Sequence, residues 1–416
     1  MKKVISIVAV MSLMMTVLTG CGNSGNSNST DTGSSQTQQE VQTTGTTAGN
    51  TADNSETKSA AGVKAEGSFD EFTRPVIVTD RKLKVGYLVR TLSGEIHQRF
   101  LRQVEIDADH YGWDLITVVY EQDNALRENW LNLINQGVDA IIVGNANTFE
   151  QYEDLAVQTR DAGIGLYCID NQVIPGVIIN TTVQNGTAML ELMYKIGADY
   201  DWNFNYTVIV EEGILCTRER SRALVGFDSA YPNEILLATQ DVAAAPTSTA
   251  QAGYDFASTW IQQYGEDLDI VFTTSDYHAT TAAEGIIASG DSNGDKWITT
   301  GIDGGSQAWA YIRNNTPLKY TYSQPAEAYA HNTCECVQQI QVEGINPGDE
   351  ECLIEKSGQV VYSSGVVTTI DNCPEIGDTI HKYFDYYDSE NKDAWYTWDD
   401  GNGQYVVEEY QIAADN

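Results

Sequence analysis

Small groups of polar residues follow short apolar runs along this 416-residue chain. Asp170 and Asn171 come directly after residues 165–169, and Ser275 with Asp276 after residues 270–273. Asp303 sits inside Gly301-Ile302-Asp303-Gly304-Gly305. Gln324 precedes Pro325, which disfavours helix at the residue before it. Arg218, Arg220 and Arg222 open a helical stretch, Thr91 and Ser93 follow the first apolar run, and Asn145 and Thr182 lie in similar places. Carboxylates accept hydrogen bonds, guanidinium groups donate them, and carboxamides do both. Bonds with an ionised partner are the stronger ones. The Gly304-Gly305 pair lets backbone approach closely. Each position also has a plainer reading: an Asx turn at Asp170 and Asn171, a helix N-cap at Asp276, and surface or interlobe ion pairs for the arginines.

Other chemistries find little support. Asp303 stands before a glycine-rich turn, yet no Lys or Ser/Thr follows at the offset a phosphate loop needs. There is no Gly-x-Ser-x-Gly elbow. The five histidines, His97, His110, His278, His331 and His381, lack metal-ligand spacing. Asp291-Ser-Asn293-Gly-Asp295 is half a calcium loop, with Lys296 at position six and Ile302 at position twelve. Cys334-Glu-Cys336 lacks the second cysteine pair a zinc site would need. Neither a metal nor a cofactor is expected, and an enzyme is not expected.

The elements that must carry these residues alternate. The spacing predicts strands over 83–89, 115–120, 140–143 and 165–169, with helices over 95–111, 125–136 and 150–162. On the first helix, Phe100, Val104 and Ala108 share one face. The pattern then restarts, with strands over 206–210, 235–239, 270–273, 297–301 and 319–322 and helices over 217–227, 249–264, 277–288 and 306–314. A helix over 326–342 and a β-like stretch over 359–370 come next. Short apolar strands separated by helices indicate parallel sheets covered on both faces. Two such α/β units predict two similar Rossmann-like lobes. Parallel sheets place ligands beyond the carboxyl ends of their strands, so a cleft is expected between the lobes.

The N-terminus reads as an address and an anchor. Lys2 and Lys3 precede an apolar run over 4–18, long enough for a signal peptide and short of the ~20 residues of a membrane span. The run ends in Leu18-Thr19-Gly20-Cys21, similar to a bacterial lipobox. That resemblance implies a signal peptide over 1–21 with lipid on Cys21 and attachment to the outer face of the membrane. Residues 22–68 are rich in Ser, Thr, Gly and Asn and read as a tether spanning ~35–40 Å as a coil. Lys and Arg number 23 against 59 Asp and Glu, a net charge of −36. Such a surface repels phosphate backbones, so nucleic acid is excluded as a partner. Beyond Cys21, six cysteines remain; they allow 15 pairings, so the disulfide state is open. Residues 374–416 are acidic and aromatic and either pack as an addition or meet a partner.

From about residue 83 to residue 371 the chain resembles the type 1 periplasmic binding proteins, the ribose/galactose-like sugar receptors of ABC importers. The resemblance rests on the order and spacing of LKVGYLVRTLSGEIHQRFLRQVE, NQGVDAIIVGN, YCIDNQ, TRERSRALVGF, DIVFTTSDYHATTAAEGI, TTGIDGG, YTYSQPAEAYA and VVTTIDN. It implies an N-terminal lobe of 80–181 plus 325–358 and a C-terminal lobe of 182–324 plus 359–373, joined by three crossovers. It also implies a monomer that captures a mono- or oligosaccharide by lobe closure and hands it to an ABC permease. A sensing role for a chemoreceptor or sensor kinase is the alternative. Implied ligand contacts are Asp170, Asn171, Arg220 ahead of Arg218, Asp276, Asp303 and Gln324, with Thr91, Ser93, Asn145 and Trp309. The first loop, Arg90-Thr91-Leu92-Ser93-Gly94-Glu95, departs from the family by lacking an aromatic residue. Stacking on a sugar ring would then fall to Trp309, Tyr277 or Tyr167, or be absent. Ser275 stands where the family has Asn.

Overall fold

The computed structural model describes residues 75–412, apart from 225–226, 232, 346, 348, 354–358 and 385–404. The leader, Cys21 and the tether lie outside the described residues. The first lobe begins with β1 (Lys84–Val89), α1 (Glu95–Tyr111), β2 (Asp114–Val119), α2 (Asp123–Asn135), β3 (Ala140–Gly144), α3 (Glu153–Asp161), β4 (Gly165–Ile169) and β5 (Ile179–Thr182). The chain then crosses into the second lobe. There it forms α4 (Asn185–Asp199), β6 (Phe204–Val210), α5 (Leu215–Leu224), α6 (Phe227–Ala230), β7 (Glu234–Asp241), α7 (Ala252–Tyr264), β8 (Ile270–Thr273), α8 (Asp276–Ala288), β9 (Ile298–Asp303), α9 (Ser306–Arg313) and β10 (Leu318–Ser323). After Gln324 it returns to the first lobe with α10 (Ala326–Gln338) and β11 (Val360–Tyr362), then crosses again to β12 (Val366–Thr368) and the short α11 (Ile380–Tyr383).

Each lobe is a six-stranded sheet, ordered β11-β5-β4-β3-β1-β2 and β12-β10-β9-β8-β6-β7. All pairings are parallel except β10 with β12. The central strands are buried on both faces, which is why they read as unbroken apolar runs. On α1 the buried face includes Phe100, Val104 and Ala108, but also Arg99, Gln103 and Asp107, because α1 packs on α10 rather than on the sheet alone. Fully burying Phe100 or Val104 contributes roughly 1.5–3 kcal/mol each.

Two expectations change. The first is that residues 359–373 belong whole to the second lobe. In the fold, β11 extends the first sheet in parallel beside β5, and only β12 joins the second. The crossing falls at Gly365, where a Cβ would lie 2.1 Å from the Ser323 carbonyl oxygen, so only glycine can pass. The second concerns residues 172–205, where the spacing predicts no element and the fold holds β5 and α4. The strand is polar, Ile-Asn-Thr-Thr, and buries its polar groups by pairing them. Thr181 Oγ1 donates to the Tyr329 carbonyl at 2.8 Å, and Asn180 Oδ1 accepts from the Asn171 N–H at 2.8 Å.

Among the described residues the cysteines form no disulfide, and five of the six are buried. Among the same residues no cluster of His, Cys, Asp and Glu could hold a metal, and no helix is long and apolar enough to cross a membrane. The half calcium loop is a polar turn. The Asp291 carboxylate accepts from the N–H groups of Asp295, Lys296 and Trp297 at 2.8–3.0 Å.

Candidate functional site

The carboxyl ends of the two sheets face each other across a cavity of about 330 Å³. Strand tips supply its walls: Arg90 after β1, Asn145 after β3, Asp170 after β4, Glu211 after β6, Asp276 after β8, Asp303 at the end of β9 and Gln324 after β10.

The second lobe contributes a dense polar wall. Asp303 Oδ1 accepts from Gln324 Nε2 at 2.8 Å and from Arg220 Nη1 at 3.2 Å. Arg220, only 1% exposed, also donates through Nε to Asn185 Oδ1 at 3.0 Å and through Nη1 to the Thr274 carbonyl at 2.8 Å. Burial works against its charge, but Cys216, Asp303 and Asp170 outweigh burial and hold the guanidinium protonated. Asp276 accepts from the Gly304 N–H at 2.7 Å and the Thr321 hydroxyl at 2.6 Å. Burial, reinforced by the Asp303 charge, pushes its carboxyl up to about 8, so it is mostly neutral at pH 7. Burial likewise raises Asp303, against the pull of Arg220.

Backbone strain marks the two leading carboxylates. Asp170 has φ +56° and Asp303 has φ +149°, conformations that cost of order 1–3 kcal/mol each and recur at binding sites. Asp170 is held by Thr182 Oγ1 at 2.6 Å and Asn145 Nδ2 at 2.9 Å. Gly304, with φ +70°, admits no side chain, since a Cβ would lie 2.5 Å from the Ser323 Cα.

The first lobe offers a looser wall. Thr91 Oγ1 and Ser93 Oγ lie 2.9 Å apart, and Thr91 donates to Glu121 Oε2 at 2.9 Å. Arg90 Nη1 reaches Asn145 Oδ1 at 3.5 Å. His97 lines the cavity with a neutral ring; burial, helped by the Arg90 charge, lowers it to about 3. Opposite stand Tyr277, 53% exposed, and His278, whose Nε2 lies 3.7 Å from Glu211 Oε2. The Ser275 hydroxyl lines the same cavity, buried and without a hydrogen-bond partner among the described residues.

Of the residues predicted from sequence, the structure gathers Asp170, Arg220, Asp276, Asp303, Gln324, Thr91, Ser93 and Asn145 around this cavity. Three lie elsewhere. Asn171 is 4% exposed and absorbed by backbone: Oδ1 accepts from the Ala146 N–H at 2.8 Å, and Nδ2 donates to the Val143 carbonyl at 2.9 Å. It pins β3 to β4. Arg218 points away, donating to the Glu212 carbonyl at 3.2 Å and standing 3.9 Å from Glu150 across the lobe boundary. Trp309 is fully buried under Ile380, Phe384 and Val407, with its indole N–H on Ser323 Oγ at 3.0 Å. Tyr167 is also core, which leaves Tyr277 as the aromatic ring of the three at the cavity.

Sequence reasoning missed Glu95, Asn185 and the Arg99–Glu327 pair. Glu95, on α1, reaches across the lobes to accept from the Ser306 N–H at 2.7 Å, where the α9 dipole favours a carboxylate. Gly305 permits this, since any Cβ there would sit 2.7 Å from Glu95 Oε2. Arg99 forms a bidentate pair with Glu327, 2.8 Å for each bond, and donates to the Gly304 carbonyl of the other lobe at 2.6 Å. The signal available was a pair of opposite charges, Glu95 and Arg99, one turn apart on α1, with Arg99 on its buried face.

Two α/β lobes, each built on an open sheet, with a polar cleft at their strand tips define a two-lobed solute-binding fold. The family model described as a periplasmic binding protein domain matches residues 85–341, and the chain belongs to that family. A comparison with curated proteins found no match. Among solved structures, a sugar ABC transporter protein from Yersinia enterocolitica is similar at 15% identity and a TM-score of 0.63, covering 76% of this chain and 94% of that one. A periplasmic solute-binding protein of an ABC transporter from Actinobacillus succinogenes, with bound D-allose, is similar at 19% identity and a TM-score of 0.60, covering 70% and 99%. A Bacillus halodurans solute-binding protein with bound myo-inositol gives 18% and 0.58, covering 71% and 98%.

Proposed function

We propose that this chain is an extracytoplasmic solute-binding lipoprotein that captures a small sugar or cyclic polyol between its lobes and delivers it to an ABC importer. The observation that carries the reading is the convergence of Asp303, Arg220 and Gln324 with Asp170 and Asn145 on one polar cavity. Such a ring of donors and acceptors matches a ligand whose hydroxyls both give and take hydrogen bonds. The volume of about 330 Å³ lies at the lower end of the roughly 300–1,000 Å³ typical of ligand pockets, which favours one sugar ring over a long oligosaccharide. The ligands of the allose- and inositol-bound neighbours are of that scale. The cleft aspartates Asp170, Asp276 and Asp303 are committed to fixed donors, an arrangement suited to holding hydroxyls. A ligand that touches both lobes binds the closed state better and shifts the population toward it. Lipid on Cys21 would hold the receptor near its permease.

The test is a thermal-shift screen against pentoses, hexoses, inositols and linear polyols. A ligand at 100 times its Kd adds about 2.7 kcal/mol to folded stability, a rise of a few degrees in Tm. No shift with any member of the panel overturns the sugar reading. Anchoring is tested separately: Cys21→Ser should abolish incorporation of labelled palmitate.

A further inference from the structure

We propose that residues 374–384 and 405–412 form a latch holding the lobes closed, and that Tyr405 is the residue that positions Glu95 at the mouth of the cleft. This rests on the lobe-closure reading above. The family match ends at residue 341, and the described parts of the segment, 374–384 and 405–412, lie wholly beyond it. Those two parts pair with each other: the Val407 N–H donates to the Asp378 carbonyl, and Gly377 N–H to the Val407 carbonyl, each at 2.9 Å.

The segment grips the two lobes unequally. On the second lobe its hold is broad and apolar. Ile380, Phe384 and Val407 bury Trp309, Arg313 donates to the Pro374 carbonyl at 2.6 Å, and Glu408 N–H donates to Ser306 Oγ at 2.9 Å. On the first lobe its hold is smaller and mostly polar: His381 is buried close enough to Glu327, Arg99 and Asp107 to feel their charges. The Tyr405 hydroxyl donates to Glu95 Oε1, and the Arg99 guanidinium stands 5.9 Å from the ring centres of Phe384 and Tyr405. An element packed broadly on one lobe and held more lightly by the other travels with the first and releases the second.

Glu95 is where that release meets the ligand site. It lines the cavity, and its Oε1 accepts both from Tyr405 and from the Ser306 N–H that opens α9. Opening the lobes carries α1 away from α9 and from Tyr405 together. The latch therefore adds to the closed state alone, without touching the ligand. A ligand that binds only the closed state has an apparent Kd equal to its intrinsic Kd divided by the closed fraction. Loosening the latch should weaken every ligand by the same factor.

The experiment uses full-length Tyr405→Phe, which keeps the ring against Arg99 and removes the hydroxyl. Small-angle scattering of the ligand-free protein should give a larger radius of gyration than wild type. Kd for D-allose, myo-inositol and any other binder from the screen should rise by a common factor of about 3–10, with faster dissociation and unchanged rank order. Unchanged scattering dimensions overturn the latch, whatever the fate of the sugar reading, because that measurement needs no ligand. A lower Tm with unchanged dimensions and Kd also overturns it, since it would mark Tyr405 as packing only. If no sugar binds the wild type, the function proposed above fails while scattering still decides the latch.

Discussion

The two walls of the cleft are built differently. On the second lobe the leading cleft groups are tied to one another or to backbone: Asp303 to Arg220 and Gln324, Arg220 to Asn185 and Thr274, Asp276 to Gly304 and Thr321. On the first lobe Asp170 is likewise fixed, by Thr182 and Asn145, but Thr91 and Ser93 stand on a half-exposed loop, and Arg90 makes a long 3.5 Å contact with Asn145. A wall whose side chains are already fixed loses little freedom on binding and so supplies affinity. A wall of looser donors adapts to the ligand and so supplies discrimination. The family fold is the same in both lobes; the difference lies in the residues placed just beyond each strand.

The largest effects should fall on the fixed wall. Asp303→Ala removes an acceptor and leaves Arg220 buried without its carboxylate. Each charge-assisted bond from the carboxylate to a ligand hydroxyl is worth about 1.5–3 kcal/mol, so the variant should bind at least about 10-fold more weakly by calorimetry. Circular dichroism should show an intact fold. A loss below threefold would remove Asp303 from the site. Stability should depend most on Glu327, which neutralises the fully buried Arg99. Glu327→Ala strands that cation, and breaking a buried pair costs about 3–5 kcal/mol, measured as a fall in the urea midpoint.

The looser wall should respond less in affinity and more in choice. Ser93→Ala removes one neutral hydrogen-bonding group, worth about 0.5–1.5 kcal/mol, so the best ligand should weaken about 2- to 10-fold. Arg90→Ala should reorder the sugars that bind. If either change costs more affinity than Asp303→Ala, the contrast between the walls is inverted.

How much of this was legible in the sequence divides along similar lines. Strand tips could be read because a parallel strand buried on both faces is an unbroken apolar run, and the residue after it must turn. That logic located Asp170, Asp303 and Gln324. It failed for Asn171, because a carboxamide beside a strand end serves the neighbouring backbone as readily as a ligand, and periodicity cannot separate the two. It failed for Trp309, because the residues that cover it, Ile380, Phe384 and Val407, lie far along the chain. It was silent on β5, whose buried Thr181 and Asn180 are satisfied by partners outside the strand, Tyr329 and Asn171, that no alternation announces. Long-range polar pairing, including Arg99 with Glu327, is the part of the fold that alternation does not encode.

The smallest effect near neutral pH tests the fixed wall from inside. Asp276 is pushed up to about 8 from an ordinary 3.8, chiefly by burial and then by the Asp303 charge. The folded state thus holds a proton that the unfolded state has already released across the window between those values. Stability from this group is complete below the unfolded value, declines as pH rises through the window, and levels off above about 8. Asp276→Asn mimics the neutral acid: its carbonyl can still accept from Gly304, and its amide can donate toward Thr321. At pH 6–7 the variant should bind sugar within about threefold of wild type, a neutral-for-neutral exchange. Above about pH 8 the two should part. Wild-type affinity should fall as a second charge appears beside Asp303, and wild-type Tm should already decline as pH rises toward about 8 and level off above it, while the variant should stay level in both. Parallel curves for both proteins across roughly pH 6 to 9.5 would mean that Asp276 is ionised throughout, and the second-lobe wall would then be set by charge repulsion held in check by Arg220 rather than by a retained proton.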